Sequence, residues 1–446
     1  MTAQERLREE MSRLAATGDV AGFLRYAREA HPSDVSDVLA ELDAETQLKL
    51  VQALPASVIS EALAEMEEEE HPEELLAALR PEQAADIVEA LEDDDAVDLI
   101  AELPPDKAKR ILSSLAHRKD LERLLLYGEE TAGGKMTTTV VAVPETATIG
   151  EALDEIRRQA AEAGDFYQIY CVDAQRRLVG VLPLQQLVVN QPGRPVREIM
   201  EPPMVTVAPD LDQEEVARLM ARYNVASIPV VDALGRLLGR VTFDDVIDVV
   251  EAEGTEDLLR FGGASPDENL SSGWKDAVRS RLPWLYLNLV TAFSAGAVVY
   301  FFQETIVRLV ALAVWMPIIA GMGGNAGTQA LAVTVRRLSL GLVPRGRAMS
   351  MVTKEIGVGV VNGLAVGLAV GAVAGAVGQG WYLGLVVTVA MWGNLIIAGL
   401  AGSFVPLVLE RLGADPAVAS SVFVTAFTDL CGFFLLLGLA SATLVV

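Results

Sequence analysis

Five apolar runs crowd the last third of this 446-residue chain and constrain its fold more than any other feature. They are Leu282–Phe302, Leu309–Val335, Ile356–Val377, Leu383–Leu409 and Val418–Val446. A hydrocarbon core of about 30 Å takes about 20 helical residues to cross, so each run predicts a spanning helix. Within the last run, otherwise free of charge, sits Asp429. A carboxylate in mid-span costs about 2.5–3.5 kcal/mol on insertion scales, and the run offers it no cationic partner. Two readings stay open: a protonated, hydrogen-bonded side chain, or a carboxylate that meets a passing cation. The second run carries Gly321-Met322-Gly323-Gly324-Asn325-Ala326-Gly327-Thr328-Gln329. Glycines here let helices approach closely, or free backbone carbonyls to line a wet cavity. Asp429 together with Gly324 and Asn325 suggests a pore for a hard cation such as Mg²⁺, which keeps its waters and takes one or two carboxylates. Asn288, Thr328, Gln329 and Asn394 are further polar residues of the runs, with Glu355 just before the third, and the amides suit interhelical hydrogen bonds.

The remainder is a different kind of chain. Residues 273–446 hold ten Lys/Arg and six Asp/Glu, which leaves 25 basic and 55 acidic residues in 1–272, a net charge of −30. Such a body repels nucleic acid and anionic headgroups, and it repels itself unless cations screen it. The two cysteines, Cys171 and Cys431, have no disulfide or zinc spacing. Met1–Val20 is charged and helical in pattern and does not read as a signal peptide. Arg279 and Arg281 precede the first run, and Arg336, Arg337, Arg345, Arg347 and Lys354 follow the second, whereas Gly378–Tyr382 is uncharged. The excess of positive charge on one side puts the N-terminus in the cytoplasm and the C-terminus outside a multi-pass cell (inner) membrane protein.

In residues 1–130, Leu42, Leu54, Met66, Leu79, Leu91, Leu103 and Leu115 recur every 12 or 13 residues, most with Pro or an acid close behind. Proline just inside a helix start is favoured, so the pattern predicts short stacked helices forming an all-α superhelix. Asp93-Asp94-Asp95 opens one helix, with Asp98 one turn beyond Asp94. The run serves as cap and dipole partner, or shares a cation with another domain. Glu67–Glu70 reads as a solvated turn.

Residues 131–195 and 196–252 repeat one α/β plan. Met136 recurs as Met200 after 64 residues, while Asp173 and Gly180 recur as Asp232 and Gly239 after 59. The second copy's Pro229-Val230-Val231-Asp232, Gly235-Arg236-Leu237-Leu238-Gly239 and Thr242-x-x-Asp245 resemble a cystathionine-β-synthase (CBS) domain, and the two copies a CBS pair. That resemblance implies an adenine-nucleotide site, possible ATP included, with Thr242 and Asp245 on phosphate and ribose; the first copy has Pro183 and Gln186 there. A nucleotide-free scaffold is the alternative. From Asp244 to Asp257 the chain places seven carboxylates in fourteen residues without one Lys or Arg. Bridging divalent cations would neutralise such a helix. Residues 253–272 read as a connecting helix into the membrane domain of 273–446.

The order of acidic helical domain, CBS pair, connector and five apolar runs resembles the MgtE family of magnesium transporters. Pro317, the 321–329 run, Glu355, Asn394, Pro406, Asp415-Pro416-Ala417, Phe423-Val424-Thr425 and Asp429 carry the likeness. The resemblance implies a homodimeric, Mg²⁺-selective, channel-like importer in the lipid bilayer, with Asp429 as pore carboxylate and the connector as plug. It further implies that cytosolic Mg²⁺ shuts the pore at Asp94, Asp98, Asp212, Glu214, Asp245, Asp248, Glu253, Glu256, Asp257 and Asp415. Asn224, Val422 and Ala426 depart from residues usual in the family. Another divalent cation (Co²⁺, Ni²⁺ or Ca²⁺) is the alternative cargo. An anion path would call for Arg or Lys in the spans. A nucleotide-governed membrane enzyme would need a catalytic set there, and the three histidines all precede residue 118.

Overall fold

The structure is a computed structural model that describes residues 3–66, 70–116, 118–159, 166–265, 273–343, 348–413, 415–416 and 421–443. Most of the turn expected at Glu67–Glu70 lies outside the described residues, as do Arg345, Arg347, Ala417, Val418 and Leu444–Val446. The chain divides into two units, Met1–Glu251 and Ala252–Val446.

The first unit opens with ten short helices: α1 Ala3–Thr17, α2 Val20–Ala27, α3 Pro32–Ala40, α4 Ala44–Ala53, α5 Ala56–Ala64, α6 Pro72–Ala78, α7 Pro81–Val88, α8 Asp93–Ala101, α9 Pro105–Ser114 and α10 Arg118–Leu124. Proline occupies the first turn of α3, α6, α7 and α9, where its missing N–H goes unneeded. Odd helices α3, α5, α7 and α9 stack in one row, and even helices α4, α6, α8 and α10 in another. The two rows form the superhelix that the 12–13 residue spacing predicts. Leu54, Met66, Leu79, Leu103 and Leu115 are buried in its core.

Next come β1 Ala142–Pro144, α11 Ile149–Gln159, β2 Gln168–Val172, β3 Leu178–Pro183 and α12 Leu184–Val189, then α13 Gln213–Tyr223, β4 Ser227–Val231, β5 Leu237–Thr242 and α14 Phe243–Gly262. The repeat holds residue by residue. Gln168 pairs with Pro183 and Ser227 with Thr242, and both hairpins carry a bulge at equivalent places, Cys171/Val172 and Val230/Val231. A parallel bridge from Val207 to Val230 stands in for the β1–β2 pairing of the first copy. The copies exchange their leading segments. A Cβ on Gly239 would lie 3.0 Å from the Met136 sulfur, and one on Gly180 would lie 2.9 Å from the Met200 sulfur. Each leading methionine therefore packs on the other copy's glycine, and a side chain at either glycine would push the copies apart. The buried Tyr170 hydroxyl lies 3.1 Å from Ser227 Oγ and ties the two sheets together.

The second unit contains α15 Trp274–Phe301, α16 Gln303–Arg308, α17 Leu312–Ser339, α18 Ala348–Ala374, α19 Trp381–Arg411 and α20 Ser421–Thr443. By length and composition four of these can cross a membrane: α15, α18 (continued to Val377), α19 and α20. The expected fifth span, α17, is 28 residues long. Its glycines, Asn325, Thr328, Gln329 and the arginines at its end lower its apolarity below the other four. Helix α19 is central, packed on α17, α18 and α20. Glycines 359, 363, 367 and 371 line one face of α18, and a Cβ on each would press into α19 at 3.0 Å or less. Small residues at four-residue spacing let two helices approach this closely without a gap.

Candidate cation sites

Helix α8 starts with its acids packed inward. Asp94 is buried, and its Oδ1 has no hydrogen-bond partner among the described residues. Burial, with Asp245, Asp95 and Glu92 nearby, pushes its carboxyl well above the ordinary range. Asp95 is pushed up to about 7 by burial first, then by Asp245, Glu92 and Asp98. Asp245 is pushed up to about 6 by burial and by Asp244, although Thr242 bonds it. Partial burial, Glu65 and Glu251 also raise Asp248. Counter-charge is sparse. Lys135 reaches Asp98 Oδ2 at 2.9 Å, and Asp98 Oδ1 is buried without a partner among the described residues. Burial opposes the Lys135 charge, but Asp98 more than compensates and holds the ammonium above its ordinary value. Asp93 accepts from Thr138 Oγ1. Carboxylates of α8 and of the start of α14 thus face one another, and each makes its neighbours harder to ionise.

The expected sensing residues divide. Asp94, Asp98, Asp245 and Asp248 come into one acidic patch, and Asp95, named from the sequence only as part of the run that opens α8, joins them. Asp212 and Glu214 do not. Asp212 caps α13 by accepting from the Glu214 amide at 2.9 Å, and Glu214 pairs with Arg218 at 3.0 Å. Among the described residues no three carboxylate, histidine or cysteine side chains converge on one ion. The patch suits an ion held through its own waters.

At the second CBS copy, the Thr242 hydroxyl and amide both donate to Asp245 Oδ2, closing the first turn of α14. Phe243 lies edge-on to Tyr167 of the first copy, with ring centres 5.8 Å apart. In the first copy Pro183 caps α12 without a side-chain bond, and Gln186 bonds Asn190. The two ends of the pair are chemically unequal, as their residues predict.

In the second unit Asp429 lies half-buried on α20, without a hydrogen bond or ion pair among the described residues. The glycine run of α17 stays helical throughout. Of the two roles that glycine offered, close packing is realised: the carbonyls are not released by unwinding. Gly324 is buried, and a Cβ there would meet Thr425 Cγ2 at 3.3 Å. Asn325 is exposed on the chain's own surface. Asn394, fully buried on α19, donates to the Ile319 carbonyl at 3.0 Å. A Cβ on Gly323 would overlap its Nδ2, and one on Gly432 would lie 2.7 Å from it. This amide therefore fastens α17, α19 and α20 where their glycines leave it room.

The end of α14 docks on the long apolar helices of its own unit. Asp257 accepts from Ser339 Oγ at 3.0 Å. Burial first, then Asp415, raises the Asp257 carboxyl. Arg260 bonds both Glu256 and Asp415. Phe261 packs against the cluster of Leu331, Val335, Ala401 and Val424, and its carbonyl accepts from Ser421 at 3.3 Å. Glu253 is half-buried on the same helix. Sequence reasoning missed Arg260, which lies three residues beyond the fourteen-residue acidic stretch. Its signal was that it is the one basic residue in α14.

Comparison with known proteins accords with this arrangement. The MgtE profile, described as a divalent cation transporter, matches residues 316–439. The MgtE intracellular N domain matches 30–130, and CBS domains match 132–191 and 196–252. The chain is 39% identical over 325 residues to the magnesium transporter MgtE of Thermus thermophilus, covering 72% of each. It is 33% identical over 334 residues to that of Bacillus subtilis, covering 74% of each. Among solved structures, the soluble part of a magnesium transporter superposes with a TM-score of 0.53 at 30% identity, over 56% of this chain and 99% of that one. The cytosolic domain of the Mg²⁺ channel MgtE in complex with ATP gives 0.51 at 39% identity, over 54% of this chain and 99% of that one.

Proposed function

The chain belongs to the MgtE family of divalent cation transporters, and from that premise we propose that it carries Mg²⁺ inward through a path at Asp429 and closes when Mg²⁺ accumulates on the acidic side. The observation that carries the reading is the carboxylate of Asp429 in an apolar helix, with no partner among the described residues. A hydrated divalent ion supplies the missing charge. Gly324, packed under Thr425, and the exposed Asn325 lie on the neighbouring helix α17. A second copy of the chain would cover the exposed polar face of α17, which carries Gly321, Asn325 and Gln329, so the working unit is a homodimer with the path on its axis. In this reading all five long helices span the cell membrane, the acidic domains are cytoplasmic and the C-terminus lies outside.

A divalent cation moving inward gains about 4.6 kcal/mol per 100 mV, twice the single-charge value. No nucleotide hydrolysis is needed, and the work is transport rather than catalysis. The patch at Asp94, Asp98, Asp245 and Asp248 is the sensor, with Asp212, Glu214 and the connector acids Glu253, Glu256, Asp257 and Asp415 as further contributors. The domain boundaries follow the reading from sequence: 1–130, 131–195, 196–252, 253–272 and 273–446. Thr242 and Asp245 form an ATP site at one end of the CBS pair, by analogy with the ATP-bound relative. Mg²⁺ is taken as cargo over Co²⁺, Ni²⁺ or Ca²⁺ because the relatives are named magnesium transporters.

The test is electrical. Purified protein in bilayers should pass Mg²⁺ current that falls as Mg²⁺ on the acidic side rises into the millimolar range. Asp429→Ala should abolish the current. Undiminished current in that variant would remove Asp429 from the path.

A further inference from the structure

At the end of α14 three carboxylates, Glu256, Asp257 and Asp415, gather beside the membrane helices with one guanidinium among them. Arg260 Nη2 bonds Glu256 on its own helix, and Nη1 bonds Asp415, 155 residues away in sequence. Asp257 is held separately by Ser339. A guanidinium presents its donors as a rigid fork and serves two carboxylates at once, which an ammonium on a flexible stem does less well. Arg260 also lies in the last turn of a 20-residue helix, where the backbone dipole favours a cation. Its neighbour Phe261 packs into the apolar cluster at Leu331 and Val424, so the bridge and the apolar contact act at one place.

We propose that Arg260 is a tethered counter-ion: it bridges Glu256 to Asp415, supplies part of the positive charge that Mg²⁺ would otherwise have to bring to these acids and Asp257, and thereby favours docking of the connector on the membrane helices before Mg²⁺ binds. This rests on the gating reading above and deepens it. A tethered cation is always present at high effective concentration, whereas a free ion must be recruited. Arg260 therefore lowers the Mg²⁺ concentration at which the transporter shuts and removes one ion from those that closure consumes. With Arg260 gone, the three acids would repel one another until Mg²⁺ replaced it.

Two measurements on the full-length protein test this. The first is the Mg²⁺ concentration that half-closes the current. Arg260→Gln should raise it roughly five- to tenfold and steepen the dependence, and Arg260→Lys should fall between that variant and the wild type. An exchange of charges, Arg260→Asp with Asp415→Arg, should return it towards the wild-type value. The second is amide hydrogen exchange over residues 253–262 in detergent with EDTA. Wild type should stay protected, whereas Arg260→Gln should exchange at least tenfold faster and regain protection on adding Mg²⁺. A lower half-closing concentration in Arg260→Gln would mean that Arg260 competes with Mg²⁺, and it would overturn the proposal. Unchanged exchange would overturn it as well. Wild-type current indifferent to Mg²⁺ would defeat the gating reading alone, because the exchange measurement decides the role of Arg260 without any current.

Discussion

Single residues decide how close the helices of the second unit come. Asn394 and Gly323 make one such point, because the amide occupies the space a Cβ at position 323 would fill. Gly323→Ala is expected to cost about 1–3 kcal/mol through overpacking, seen as a lower melting temperature in detergent. Asn394→Ala alone loses one interhelical bond, about 0.6 kcal/mol by membrane-protein averages. The double variant should then be less destabilised than the sum of the two, and strict additivity in that cycle would mean the residues do not share the space. Cys171 gives a simpler check. Burial pushes its thiol up to about 12, so in the folded protein it should resist alkylation at pH 8 that proceeds once the chain is unfolded. The cysteines' lack of pairing was legible in their spacing, but the burial of Cys171 was not, because it depends on how β2 is covered.

At the scale of elements, local pattern carried far. The leucine spacing and proline placement marked the helical rows, and the 59-residue offset marked two hairpins whose registers coincide. The exchange of leading methionines between copies was not legible, since nothing local to Met136 says which glycine it will meet. Helix α14 begins with the amide and hydroxyl of Thr242 both donating to Asp245. Thr242→Ala should cost about 1 kcal/mol as a lost hydrogen bond to that carboxyl, measured by denaturant unfolding, with weaker ATP binding as a second readout if the nucleotide sits there. Helix α17 shows where pattern leaves two outcomes open. Its glycine run allowed close approach or released carbonyls, and the helix continues because neighbouring helices pack onto Gly323, Gly324 and Gly327 and leave no room for the backbone to unwind.

For the whole molecule the net charge of −30 over residues 1–272 is the dominant electrostatic fact. The acidic patch converts it into a dependence on protons. Asp95, near 3.9 unfolded, is pushed up to about 7 in the fold, and Asp245 up to about 6. A raised acid binds its proton more tightly when folded. Its contribution to stability is full below about pH 4 and is lost as pH rises through 6 and 7. In EDTA the thermal stability of the acidic unit should therefore fall between pH 5 and pH 8, and millimolar Mg²⁺ should flatten that fall. Equal melting at both pH values without metal would mean that the patch is not strained by its charge.

By itself the sequence determined where the apolar runs lie, that two α/β copies follow a helical repeat, and that one carboxylate sits within the last run. These are properties of composition and period, carried by each segment alone. Only the tertiary structure decided that Asp95 faces Asp245, that Arg260 bridges to Asp415 and that Asn394 fastens three helices. Each of those contacts joins residues on separate elements, and their meeting is fixed by packing that no single segment encodes.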